Sequence, residues 1–382
     1  NSLVPTPEGE PAGDFTAPTA SHALSQPAND AGWHKADVTV TLGASDNDGG
    51  SGVYEIVYAV NGGAATHASG ASVNVPVNTE GETTVTYYAK DYAGNVGTPQ
   101  TVTVKLDKTA PVIGEVTRTQ PNANGWNNTD VVAGFNATDA LSGFASGTTA
   151  TGSHTFDAEG AGQSYTFTVE DLAGNTASAS VSGVNIDKTA PTVNVAKPSE
   201  GAFYLVGQAV AADYACGDNL SGNAACAGTT PDGAQIDTAT PGAKTFTVNT
   251  ADLAGNIAAQ TVNYTVGYNL GLLYDPSKLN NAGSTVPVKL QLVDVAGANL
   301  STAEMVVHVL GTSPASSDTY TAAAIAAGSA NPNGDFRFDP TLGTGGGYIF
   351  NLKTTGFAPG AYKLYFNVGG DPYVYAAQFR VK

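Results

Sequence analysis

Short runs of alternating apolar and polar residues fill the chain, and clusters of Gly, Asn and Asp separate them. Val38, Val40 and Leu42 alternate, as do Tyr54, Ile56, Tyr58 and Val60. A period of two places one face of a strand on a core. No helical apolar periodicity of useful length occurs, so the pattern predicts an all-β chain. Three stripes share one further property. Val85, Tyr87 and Ala89 lead into Asp91, Tyr165, Phe167 and Val169 into Asp171, and Phe246, Val248 and Thr250 into Asp252. Each predicts the penultimate strand of a module. The last strands are predicted at Val102, Val104 and Leu106, at Val184 and Ile186, and at Val262, Tyr264 and Val266. Beyond Gly267 the stripes change: Val286, Val288, Leu290 and Leu292, then Tyr348, Phe350 and Leu352, then Tyr362, Leu364 and Phe366, then Tyr373, Tyr375, Ala377 and Phe379.

Two signatures set the organisation. Asp-x-Thr-Ala-Pro starts at Asp14, Asp107 and Asp187, and Asp-x-Ala-Gly-Asn starts at Asp91, Asp171 and Asp252, the latter recurring every ~80 residues. That spacing suits one small β-sandwich. The expected organisation is a tail at 1–13, immunoglobulin-like modules at 14–108, 109–188 and 189–266, and a larger β-sandwich at 267–382. The fold class is all-β, with tandem immunoglobulin-like β-sandwiches in an elongated array. The residue before proline avoids helix, so each Thr-Ala-Pro predicts an extended lead into its module.

Composition narrows the function. Only 13% of residues are charged and 41% are hydrophobic, enough for several small cores and unlike a disordered chain. The net charge of -18 argues against a nucleic-acid partner and is compatible with divalent cations. No run of 18 apolar residues predicts a membrane span. A start at Asn1 is read as a processed product or an excised fragment. The two cysteines, Cys216 and Cys226, predict one disulfide in an oxidising compartment, a local clip across Gly217–Ala225; two free buried thiols are the alternative.

Modules one to three resemble bacterial immunoglobulin-like repeats of extracellular proteins. The resemblance rests on Gly32-Trp33 and Gly125-Trp126, on Asp46…Ser51-Gly52, Asp139…Ser142-Gly143 and Asp218…Ser221-Gly222, and on the two signatures above. Module three lacks the Gly-Trp pair, so its first strand is expected to differ. The last segment resembles a PxKF domain through Val286-Pro287-Val288-Lys289-Leu290, with Leu where the motif has Phe. The resemblance implies an exported location and supplies no catalytic residue.

No catalytic constellation is present in the sequence. The five histidines are scattered, and none forms a metal-binding pair or a nucleophile elbow. The Gly343–Gly347 run lacks the Lys-Ser/Thr ending of a phosphate loop and reads as a turn. Trp33 and Trp126 occupy matching positions, which favours packing over sugar stacking. Asn127, Asn136, Asn219, Asn263 and Asn299 begin glycosylation sequons that a Thr/Ser/Asn-rich chain also produces by chance.

The aspartates are the sharper case. In an immunoglobulin-like sandwich the loops after the second strand and before the last strand share one pole with the N-terminus. Three groups follow: Asp14 with Asp46, Asp48 and Asp91; Asp107 with Asp139 and Asp171; Asp187 with Asp218 and Asp252. Carboxylates, amide oxygens and carbonyls are the ligands Ca²⁺ takes in sets of six to eight. Equally, Asp and Asn cap turns through backbone amides. No cofactor is required, and Ca²⁺ is the candidate. The expected role is a non-enzymatic extracellular stalk or adhesion array that meets cell-surface or matrix components. The alternatives are a self-assembling subunit of a surface layer or filament, and a polysaccharide-binding or spacer tail of a secreted hydrolase.

Overall fold

The computed structural model describes residues 13–327, 331–369 and 371–382; the predicted tail, apart from Gly13, lies outside them. The described chain is built from strands. Module one comprises β1 (Thr19–Leu24), β2 (Trp33–His34), β3 (Val38–Ser45), β4 (Val53–Val60), β5 (Thr66–Ser69), β6 (Ser72–Val77), β7 (Gly81–Asp91) and β8 (Gln100–Leu106). They form two facing sheets, β1-β3-β6 and β2-β8-β7-β4-β5. Val38, Val40 and Leu42 meet Val85, Tyr87, Val104 and Leu106 between them, all essentially inaccessible to solvent. Each such side chain contributes about 1.5–3 kcal/mol when fully buried.

Module two comprises β9 (Val112–Ile113), β10 (Thr117–Arg118), β11 (Val131–Thr138), β12 (Thr151–Phe156), β13 (Gly160–Glu170) and β14 (Thr176–Ile186). Strands β9 and β10 pair with β11, which pairs with β12, while β13 and β14 form a two-stranded sheet. Module three comprises β15 (Thr192–Lys197), β16 (Ala202–Leu205), β17 (Asp213–Gly217), β18 (Asn223–Gly228), β19 (Gly242–Asp252) and β20 (Ile257–Gly267), in sheets β15-β17 and β16-β20-β19-β18. The C-terminal sandwich comprises β21 (Asn269–Leu272), β22 (Leu279–Asn280), β23 (Thr285–Val293), β24 (Val307–Pro314), β25 (Arg337–Asp339), β26 (Gly347–Lys353), β27 (Gly360–Val368) and β28 (Tyr375–Val381). Its sheets run β21-β23-β26-β25 and β22-β28-β27-β24.

One device recurs. The first strand is split: β1 pairs antiparallel with β3, whereas β2 crosses over and pairs parallel with β8. Strand β16 runs parallel to β20 and β22 to β28 in the same way. Module three keeps this half-strand without Gly-Trp, using Ala202–Leu205 instead. The chain divides into two compact units, residues up to Pro121 with Thr129–Ile186, and Asn122–Asn128 with Asp187–Lys382.

Four predicted stripe positions lie outside the cores, among them Val60, 37% exposed at the end of β4. Tyr54 is 48% exposed because a register shift between Val53 and Glu55 turns it away, while Ile56 stays in the core. Tyr165 is exposed and stacks on His154 at 3.8 Å between ring centroids. Tyr373 stacks on Phe203 at 3.9 Å. Cys216 of β17 and Cys226 of β18 form the disulfide, joining two strands that belong to different sheets.

Candidate metal centres at the linker aspartates

The Asp-x-Ala-Gly-Asn loops fold by one local rule. Asp171 N–H donates to Asn175 O at 3.0 Å, and Asn175 N–H and Nδ2 donate to Asp171 Oδ1 and Oδ2, both at 2.8 Å. The turn needs a positive φ at its fourth residue, which is Gly94, Gly174 or Gly255 in the three copies. Asp91 with Asn95 and Asp252 with Asn256 repeat the bonds. The Asn amide also reaches the linker: Asn95, Asn175 and Asn256 donate Nδ2 to the main-chain oxygens of Asp14, Asp107 and Asp187 at 3.1, 3.0 and 2.8 Å.

The linker aspartate bonds in two directions. Asp107 N–H extends the preceding half-strand by donating to His34 O, and Asp187 N–H donates to Asn127 O, both at 2.9 Å. The carboxylates face the following module. Ser51, Ser142 and Ser221 N–H donate to Asp14, Asp107 and Asp187 Oδ2 at 2.9, 3.0 and 2.9 Å. Thr16, Thr109 and Thr189 N–H donate to the Oδ1 atoms, a main-chain contact that any residue but proline can make at this position. The third carboxylate caps its own loop: Gly52, Gly143 and Gly222 N–H donate to Asp46, Asp139 and Asp218 at 2.7, 2.6 and 2.6 Å.

Each set therefore gathers three carboxylates. In Asp14–Asp46–Asp91, Asp107–Asp139–Asp171 and Asp187–Asp218–Asp252, one oxygen from each residue lies within 4.8 Å of the others. Asp48 is not among them. It sits exposed in the turn closed by Gly50 N–H on Asn47 O, while Asp46 points inward to Gly52. Asp107 and Asp187 are fully buried, whereas Asp14 is half-buried. The Ser51 and Thr16 amides hold the Asp14 carboxyl below its usual range. Its contribution to stability is present above the ordinary carboxylate pKa and is lost as pH falls through the lowered value.

Two observations bear on what these sets hold. None of the nine aspartates forms an ion pair with Lys, Arg or His among the described residues. At an effective dielectric of 20, two ionised carboxylates at this separation repel by about 3–4 kcal/mol. In addition, the buried hydroxyls of Ser142 and Ser221 have no hydrogen-bond partner among the described residues, although both residues donate their amides into the sets. In module one the equivalent Ser51 Oγ accepts Ala93 N–H at 3.0 Å. Three carboxylates, a hydroxyl and nearby loop carbonyls are a hard-oxygen donor set that fits Ca²⁺.

Sequence reasoning missed a second recurring contact. Asn29 Nδ2 donates to Leu172 O at 2.7 Å, and Asn122 Nδ2 donates to Leu253 O at 2.8 Å, so each Asn covers an Asp-x-Ala-Gly-Asn loop. Both asparagines also fold their own turns, accepting Trp33 N–H and Trp126 N–H on Oδ1. The signal was present: Asn-x-x-Gly-Trp occurs at Asn29 and Asn122. Trp33 and Trp126 are half-buried, and Lys105 Nζ lies 5.9 Å from the Trp33 ring centre.

No protein-family model matches the chain, and no curated protein matches it. Among solved structures, the chain is similar to the fibronectin(III)-like modules of Clostridium thermocellum CbhA, with 10% identity, 65% of this chain and 94% of that one covered, and a TM-score of 0.19. It is also similar to the insect immune protein hemolin, with 13% identity, 96% and 100% covered, and a TM-score of 0.18. Dimeric latent PorU from Porphyromonas gingivalis gives 8% identity, 95% and 34% covered, and a TM-score of 0.18.

Proposed function

We propose that the chain is a non-enzymatic extracellular stalk or adhesion array whose linkers are stiffened by Ca²⁺. The observation that carries this reading is the threefold recurrence of one carboxylate set, each built from a linker aspartate and two loop aspartates of the module that follows it. A cation there neutralises the repulsion and ties the linker to both loops. Repeated sandwiches then give reach, and the bound linkers set stiffness. The Cys216–Cys226 disulfide supports an oxidising compartment. No helix among the described residues is long and apolar enough to cross a membrane. The PxKF-type assignment of residues 267–382 belongs to the same proposal, as do cell-surface, matrix or polysaccharide partners.

Single-molecule stretching of the chain tests the mechanical reading. Modules one to three should unfold at higher force in millimolar Ca²⁺ than in chelator, while the C-terminal sandwich should not change. Identical force traces in the two conditions would remove calcium from the mechanism.

A further inference from the structure

The sheets that carry the penultimate strand are filled differently in the three modules. In module one, β4 covers the outer edge of β7 from Val53↔Asp91 to Val60↔Val85. In module three, β18 covers β19 from Asn223↔Asp252 to Gly228↔Val248. In module two this strand begins and then leaves. Phe144 bridges Asp171, Ala145 N–H donates to Glu170 O at 2.9 Å, and the chain turns away as Thr148 N–H closes on Ala145 O. The stretch between β11 and β12 is too short to hold a covering strand. From Gly160 to Val169, the outer edge of β13 has no strand beside it among the described residues.

The direction of the free groups follows from the ladder. Asp171 and Asn175 form a hydrogen-bonded pair, so Val169, Phe167 and Tyr165 also bond inward to β14. Thr166 and Thr168 therefore turn their N–H and C=O groups to the open edge, as Glu170 O does towards Ala145. Both threonines are exposed. The edge lacks the usual protections: β13 carries no Lys and no Pro, and its register shifts are confined to the Gly160–Tyr165 end.

We propose that this edge pairs with the same strand of a second copy of the chain, antiparallel, about a twofold axis at Phe167. Thr166 then faces Thr168 of the second copy, and the two equivalent pairs exchange four main-chain hydrogen bonds. The regular stretch Tyr165–Val169 fits between the register shift at one end and Ala145 at the other. The self-complementary register about Phe167 selects a second copy as the occupant, and charge does not oppose it. The chain carries -18, so copies repel over most of their surface. The β13–β14 ribbon holds only Glu170 and Asp171, both at its turn, and is otherwise neutral. Cross-strand Thr–Thr neighbours are favourable on such a surface. The contact is small, which places its Kd on the order of 0.1–1 mM, an affinity that arrays of tethered chains multiply.

Sedimentation equilibrium over a concentration series tests the pairing. A monomer–dimer equilibrium is expected, and Thr168→Pro, which deletes one edge donor, should weaken it at least tenfold with an unchanged melting temperature. Because both native cysteines are bonded to each other, introduced thiols give a second readout. Mixing equal amounts of Thr166→Cys and Thr168→Cys chains under mild oxidation should give the mixed disulfide dimer in well over the twofold excess over either homodimer that random pairing produces. A chain that stays monomeric to millimolar concentration, a dimer that Thr168→Pro leaves intact, or mixed and homodimers in the random 2:1:1 proportion would each overturn the proposal.

Discussion

Two ways of fastening one sandwich to its linker coexist in this chain. Modules two and three begin at buried carboxylate sets, Asp107–Asp139–Asp171 and Asp187–Asp218–Asp252. The C-terminal sandwich begins instead at a buried aromatic contact. Tyr268 N–H donates to Tyr375 OH at 3.0 Å, Tyr375 OH donates to Asp371 at 3.0 Å, and Phe203 stacks on Tyr373. The difference extends into the cores. Modules one and two have separate cores, whereas one continuous apolar cluster runs from Val206 and Phe246 through Tyr268 to Phe366 and Phe379. A polar linker set adds little apolar area and depends on satisfying its charges. An apolar contact depends on area and is indifferent to ions.

This contrast can be broken by substitution. The largest expected effect is that of Asp107→Asn. With Ca²⁺ at a hundredfold excess over its Kd, the lost binding should destabilise module two by about 2–3 kcal/mol in chemical denaturation. In chelator the same change should be neutral or slightly stabilising, because it removes one repelling charge while an amide oxygen still accepts one of the two amides. A smaller effect belongs to the other side. Tyr375→Phe leaves the buried Tyr268 N–H without an acceptor and should cost about 1–2 kcal/mol, equally in calcium and in chelator. A calcium-dependent loss from Tyr375→Phe would erase the distinction between the two kinds of linker. The smallest effect is expected from Asp48→Ala, within about 0.5 kcal/mol in either buffer, since Asp48 is exposed and outside the set.

Much of this architecture is legible in the residues, because strand alternation records burial directly. Val85, Tyr87 and Ala89, and Val286 to Leu292, fall where their period of two puts them. The aspartate sets were also legible, because the signatures recur and the pole they share follows from sandwich topology. What escaped was set by breaks in regularity. A register shift turned Tyr54 outward, a strand that stops after Ala145 left Tyr165 exposed, and a neighbouring ring took Tyr373. Alternation carries no information on which strand lies beside which, so the open edge of β13 had no signature except the short stretch before β12. Asp48 was drawn into the first set by proximity in sequence, but a single residue in a turn decides which carboxylate points inward.

Isothermal titration of the chelator-treated chain with CaCl₂ tests the central claim most directly. The account predicts saturable binding of three ions per chain, one for each carboxylate set, falling to two in Asp107→Asn and unchanged in Asp48→Ala. No binding heat up to millimolar Ca²⁺, or a stoichiometry that Asp107→Asn leaves unchanged, would contradict it and leave the aspartates as turn caps alone.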